Sequence, residues 1–251
     1  IVITSKKHSK NKDFNQNLLD EKLNDVIETQ LISDVPLGVF LSGGIDSSII
    51  TYYLQKLNNN LNTFSIGFED DSFDESKYSR TVSQHLETNH HEEIFSTDSM
   101  LDLLPNLWNN MDEPFADPSF LPTFILSKFT KNEVTVSLSG DGGDEIFGGY
   151  LYFSNAPSLE EFHQECIRRV KRLHTSDVLR ADRATMGAAV EARVPFLDKE
   201  FLDYAMSIAP EYKFIKVGST CEKYVLRNAF DTSENPYLPN EILWRQKEQF
   251  S

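Results

Sequence analysis

Apolar residues recur along the first part of the chain in two alternating rhythms. Leu19, Leu23, Val26, Ile27 and Leu31 fall at three- and four-residue spacing, which predicts an amphipathic helix over 18–31. Pro36-Leu37-Gly38-Val39-Phe40-Leu41 is a short apolar run, the pattern of a strand buried on both faces. Ser42-Gly43-Gly44 breaks that run, and a helix is predicted from Ile45 to Leu57, ended by Asn58-Asn59-Asn60. A strand over 62–68, a helix over 75–86 and a strand over 91–95 follow. Helices are then predicted over 100–111 and 121–129, with a strand over 134–138. Strands alternating with helices in this way predict an α/β fold, a parallel sheet covered on both faces. Past Tyr150 the strand signal ends, so a mainly helical C-terminal part is expected. Residues 1–17 are polar and rich in Lys, Asn and Ser, so they read as a linker or domain edge before one domain over 18–251.

Charge narrows the partners. The 251 residues carry 39 acidic against 24 basic side chains, a net charge of −15. Such a surface repels nucleic acid and anionic lipid unless a basic stripe overrides it. The basic clusters are Lys6-Lys7-His8-Ser9-Lys10, in the polar lead-in, and Arg168-Arg169-Val170-Lys171-Arg172, which reads as the wet face of a helix. Neither predicts a nucleic-acid partner. No apolar run is long enough to span a membrane, and Ile1 opens no secretory signal. The expectation is a cytoplasmic piece of a longer product. Cys166 and Cys221 match no metal or redox spacing and read as two reduced thiols.

The first chemical signal is Phe40-Leu41-Ser42-Gly43-Gly44-Ile45-Asp46-Ser47-Ser48. A buried strand ends, two glycines allow a sharp turn, and hydroxyl residues open a helix. Glycines that can take positive φ bring backbone N–H groups close to an anion, and the helix N-terminus completes the cradle. Ser42, Ser47 and Ser48 add hydroxyl donors. Asp46 cannot favour a bare phosphate, so its task beside one is to hold Mg²⁺. Without the Gly-Lys-Ser/Thr ending, this is not a Walker A loop. It resembles the PP-loop of the N-type ATP pyrophosphatases, with an adenine nucleotide α-hydrolase-like core, which cleave ATP between the α and β phosphates.

The second signal follows the strand over 134–138. Ser139-Gly140-Asp141-Gly142-Gly143-Asp144-Glu145-Ile146-Phe147-Gly148-Gly149-Tyr150 packs five glycines and three acids into twelve residues. It sits at a strand's C-terminal end, where open parallel sheets bind ligands. An acidic surface loop is the bland alternative, but the preceding strand aims this segment at the same edge as the PP-loop.

Together with Asp112-Glu113-Pro114-Phe115-Ala116-Asp117-Pro118-Ser119, Glu191-Ala192-Arg193-Val194-Pro195-Phe196-Leu197-Asp198, Glu222-Lys223-Tyr224-Val225-Leu226-Arg227 and Trp244-Arg245-Gln246-Lys247-Glu248-Gln249-Phe250, this segment resembles the synthetase domain of the glutamine-hydrolysing asparagine synthetases. The resemblance runs over about residues 20 to 251. It implies an ATP-dependent carbon–nitrogen ligase that activates aspartate as β-aspartyl-AMP, which ammonia then attacks, releasing AMP and pyrophosphate.

Charge assigns roles within that resemblance. Pyrophosphate leaves with several negative charges, so cations and metal are needed around the phosphates. Asp46 and Asp144 are the expected Mg²⁺–pyrophosphate carboxylates, and Lys247 the cation for the α-phosphate, with Arg245 a weaker candidate. Backbone around Leu41 and Ile66, with Ser139 and Gly140, is implied to hold the adenosine. Asp141 takes the place of an acid tied to intermediate formation and ammonia attack; many relatives have Glu there, one methylene longer. Aspartate carries both charge signs, and Asp177 and Arg180, one helical turn apart, supply both. Glu145 and Tyr150 complete the implied substrate set.

In such relatives an N-terminal glutaminase domain provides the ammonia, and nothing here resembles it. The chain also ends inside a motif that relatives continue, so both ends read as truncated, and a homodimer is compatible with the pattern. Three alternatives stand beside this reading: a β-lactam-synthetase-like adenylating enzyme, a catalytically silent nucleotide module and a structural interaction domain. Glu191 and Arg193 are expected to form a buried structural pair. His90 and His91 point opposite ways on a strand and make a poor metal site. Trp108, Trp244 and the phenylalanines are expected in the core.

Overall fold

The computed structural model describes residues 14–69, 74–109, 111, 115–214, 221–232 and 236–247. Asp112, Glu113, Pro114 and the stretch from Glu248 onward, all singled out above, lie outside the described residues, as does the lead-in up to residue 13.

Helix α1 (Gln16–Gln30) starts where the Asn15 side chain accepts from the Leu18 N–H, so the helix begins just inside the segment read as linker. It buries Leu19, Leu23, Val26 and Ile27 on one face. Strand β1 (Leu37–Phe40), helix α2 (Ile45–Leu57), strand β2 (Asn62–Phe68), helix α3 (Ser76–Leu86) and strand β3 (Asn89–Phe95) then alternate as expected. The helix expected over 100–111 is instead two short ones, α4 (Thr97–Leu101) and α5 (Leu104–Trp108). Pro105 sits in the first turn of α5, where its missing N–H costs nothing but stops a helix arriving from upstream.

Helix α6 (Phe120–Thr130) leads to strand β4 (Val136–Leu138) and the one-and-a-half-turn helix α7 (Gly143–Phe147). Helix α8 (Leu159–Arg172) has Ser158 as its N-cap, acids in its first turn and Arg169, Lys171 and Arg172 in its last, each charge favouring the helix dipole. Helix α9 (Asp177–Gly187) follows, then strand β5 (Glu191–Arg193). This strand corrects the expectation of a strand-free C-terminal part. Helices α10 (Lys199–Ser207), α11 (Pro210–Lys213), α12 (Tyr224–Phe230) and α13 (Asn240–Leu243) complete the described elements.

The five strands form one sheet in the order β3-β2-β1-β4-β5, and all four pairings are parallel. From β1 the chain moves to β2 on one side and later returns to β4 on the other. That reversal of direction is the topological switch point, where α/β sheets leave a crevice at their carboxyl edge. The register sets Val39 opposite Leu138, so the loops leaving β1 and β4 emerge side by side.

Leu19, Ile27, Ile49, Ile50, Tyr53, Leu54 and Leu138 form the central core with Phe147, Phe196, Phe201, Leu226 and Phe230 from the helical part. Sheet and C-terminal helices therefore share one buried cluster. Glu191 and Arg193 do pair, at 2.7 Å, but the Glu191 side chain is 57% exposed, so the pair is not buried. Its structural role lies with Arg193, which also donates to the backbone carbonyls of Gln30 and Ile32 and ties β5 to the end of α1. His90 turns to Thr63 and Ser65, while His91 stacks on Phe64, the opposite orientations expected of neighbours on a strand.

Candidate active site

A cleft of about 650 Å³ opens over the carboxyl edge of β1 and β4. Every residue expected to touch ATP, metal or substrate lines it, with the exceptions of Gly43 and Ser48. Gly43 takes φ +74°, and a Cβ there would meet the Tyr78 backbone at 2.5 Å, so it turns the chain against α3 rather than facing the cleft. Gly44 has an ordinary φ of −73° and serves as the N-cap of α2. Ser48 is fully buried beneath the helix start, with its Oγ unpartnered and away from the cleft lining. Of the three expected hydroxyl donors, Ser42 and Ser47 line the cleft, their Oγ atoms 3.0 Å apart at the mouth of α2. The free N–H groups of that first turn face an anion's natural position.

The second glycine loop presses directly on this helix start. A Cβ on Gly140 would lie 2.9 Å from the Ser47 nitrogen. Asp46 and Asp144 come together there with Lys223 between them. The lysine bonds Asp46 Oδ2 and stands 2.8 Å from Asp144 Oδ1, with 3% of its side chain exposed. A buried Arg227–Glu222 pair, with Arg227 also donating 2.7 Å to the Glu222 carbonyl, fixes the backbone beside Lys223 in the left-handed conformation. Lys247 approaches from the C-terminal segment, 2.8 Å from Asp144 Oδ2 and 4.9 Å above the Tyr150 ring. Burial pushes the Asp46 carboxyl up against the pull of Lys223. Burial also acts on Asp144, but Lys223 and Lys247 together hold it down at about 2. Arg245 stacks 3.8 Å over Tyr78 and pairs with Glu75 at 3.2 Å, so its charge is engaged away from Asp144.

Further along the cleft, Arg180 is ringed by carboxylates: Asp141 at 2.7 Å, Asp117 at 3.7 Å and Asp177 at 3.8 Å. Asp141 accepts from Ser139 with its other oxygen. Each of its oxygens thus has a partner, and Asp141 anchors Arg180 in this arrangement. Arg169, expected on the wet face of α8, instead turns inward. It lies 3.8 Å from Glu145, 4.0 Å from Asp177 and 4.7 Å over the Tyr150 ring. Tyr150 donates to Glu145, whose side chain is 2% exposed. This region offers cations for a carboxylate and carboxylates for an ammonium.

Sequence reasoning passed over Lys223, Arg169 and Asp117. Arg169 left a trace, lying seven residues after the buried Phe162 and hence on the same helix face. Lys223 and Asp117 stood inside quoted segments with nothing local to mark them.

Burial raises the Glu145 carboxyl to about 7, from an ordinary value of 4.5. The folded chain therefore holds that proton more tightly than the unfolded one. The resulting stabilisation is complete below pH 4.5 and is lost as pH rises through about 7. In urea unfolding, wild type should lose up to about 3 kcal/mol relative to Glu145→Gln across this window. Parallel stability–pH curves for the two proteins would contradict the assignment.

Among the described residues no cluster of three or more His, Cys, Asp or Glu could hold a metal, and no helix is long and apolar enough to cross a membrane. Magnesium commonly uses one or two carboxylates with phosphate and water, so the Asp46–Asp144 pair suffices. Asp46 Oδ1 is buried without a hydrogen-bond partner, an oxygen left over for such a ligand.

The family model described as asparagine synthase matches residues 18–161 and 155–251. A probable glutamine-hydrolyzing asparagine synthetase of Schizosaccharomyces pombe is 45% identical over 260 residues, covering 93% of this chain and 46% of the relative. Glutamine-hydrolyzing asparagine synthetase 3 of Arabidopsis thaliana is 45% identical over 236 residues, covering 88% of this chain and 40% of its own length. The Asparagus officinalis enzyme is 43% identical over 248 residues, with 93% and 42% covered. The chain spans less than half the length of these relatives.

Proposed function

The chain belongs to the asparagine synthase family, and from that we propose that it forms asparagine from aspartate and ammonia at the expense of ATP. One observation carries the reading: both glycine loops, the Asp46–Asp144 pair, Lys247 and the Arg180 cluster line a single cleft. A phosphate cradle and a pocket for a doubly charged amino acid then lie within reach of each other.

The adenosine would rest along Leu41, Ile66, Ser139 and Gly140, with the phosphates over Ser42, Gly44 and Ser47. Arg180 would take an aspartate carboxylate, while Asp177 and Asp117 face its ammonium. This leaves the side-chain carboxylate free to attack the α-phosphorus, with Lys247 offsetting the charge that develops there. Asp46 and Asp144 would hold Mg²⁺, which supplies charge neutralisation on the leaving pyrophosphate. The β-aspartyl-AMP so formed is open to ammonia, and AMP departs. In the longer protein we place the source of ammonia in a glutaminase domain N-terminal to this chain.

ATP–pyrophosphate exchange tests the reading. Exchange that requires aspartate, with asparagine and AMP made in equal amounts once ammonia is added, is the expected result. Exchange driven only by another carboxylic acid would replace aspartate as the substrate.

A further inference from the structure

Lys223 and two carboxylates form a compact triad on the floor of the cleft, where the glycine loops meet. Lys223 Nζ lies between the carboxylates of Asp46 and Asp144 and is ion-paired with both. The glycine loop packs tightly against them from one side. A Cβ on Gly143 would stand 2.5 Å from Asp46 Oδ1, and one on Gly149 would overlap the Asp144 carboxylate and Lys223 Cε. The ammonium therefore takes the position between the two acids that a divalent cation needs. Two neighbouring carboxylates repel where little water screens them; Lys223 faces both, while Lys247 meets Asp144 from its other oxygen. A bare metal ion displacing it would leave a buried ammonium with no anion beside it, the costliest way to break a buried pair.

We infer that Lys223 is the resident counter-ion of the metal site: it excludes a free divalent cation, which binds only together with a polyphosphate. The polyphosphate's anionic oxygens give the displaced ammonium a new partner at the same spot. Metal and nucleotide are then coupled through one side chain, and each strengthens the binding of the other. The inference rests on the proposed role of Asp46 and Asp144 as metal carboxylates.

Mn²⁺ serves as the probe, its protein-bound fraction read by water-proton relaxation on the full chain. A non-hydrolysable ATP analogue is added in one arm and left out in the other. Wild type should bind Mn²⁺ at least about tenfold more weakly without the analogue. Lys223→Met, which keeps the volume and removes the charge, should bind Mn²⁺ alone at least about tenfold more tightly than wild type. Adding Asp46→Asn to that variant should erase the gain. Equal Mn²⁺ affinity of wild type in both arms, or no gain in Lys223→Met, overturns the inference. Should circular dichroism show Lys223→Met unfolded, the two wild-type arms decide alone. The underlying reading is judged separately, by Asp46→Asn in the otherwise wild-type chain. If that change leaves analogue-dependent Mn²⁺ binding intact, the metal assignment itself falls, and the inference with it. If it abolishes that binding while Lys223→Met shows no gain, only the counter-ion role is lost.

Discussion

Lys247→Ala is expected to lower the turnover number by about 10²–10³-fold while changing nucleotide affinity only a few-fold. The reason lies in where the charge sits. Lys247 is 26% exposed and reaches in from the C-terminal segment to Asp144, on the far side of the carboxylate from Lys223. In the proposed reading an ATP molecule in the cleft would meet the α2 N-terminus and Lys223 with its phosphates, so ground-state binding would be shared among several donors. Charge that develops during transfer at the α-phosphorus has fewer. A donor whose interaction strengthens only on the way to the transition state acts on turnover rather than on binding. Steady-state kinetics with separate measurement of nucleotide affinity checks this. A variant with unchanged turnover, or one that loses affinity and turnover equally, would remove Lys247 from the transfer step.

Arg180→Ala should act on the other substrate. Three carboxylates face this guanidinium, and its side chain is only 15% exposed. Removing it leaves Asp117, Asp141 and Asp177 facing one another and takes away the cation proposed for the aspartate carboxylate. Truncating one partner of a buried charge pair commonly costs about 3–5 kcal/mol. The expected result is a rise of about 10²–10³-fold in the KM for aspartate, with ATP affinity changed by less than about threefold. Arg180→Lys should recover only part of the loss, because a point charge cannot serve several carboxylates as the planar fork does. An unchanged KM in Arg180→Ala would move the aspartate pocket elsewhere.

The parts of the molecule legible in the sequence are those whose signals are local. Helix α2 and strand β2 have the expected bounds, because an apolar run and the glycine or asparagine cluster ending it lie side by side. The two glycine loops were legible for the same reason: turning sharply beneath an anion requires particular residues at consecutive positions. Strand β5 was not. Glu191-Ala192-Arg193 has no strand pattern of its own and is extended because β4 offers it a ladder. The break between α4 and α5 hung on one proline inside an otherwise helical stretch. In the site, Lys223 and Arg169 come from helical segments distant in sequence, and only the packing of those segments on the sheet edge gives them their neighbours. The contact of Asp141 with Arg180 was not legible, because the two stand 39 positions apart.

The bond between Lys223 and Asp46 joins residues 177 positions apart. One partner opens α2 near the start of the fold and the other stands at the mouth of α12 near its end. The charge balance at the floor of the cleft therefore exists only in a chain whose last helices have docked on its first ones.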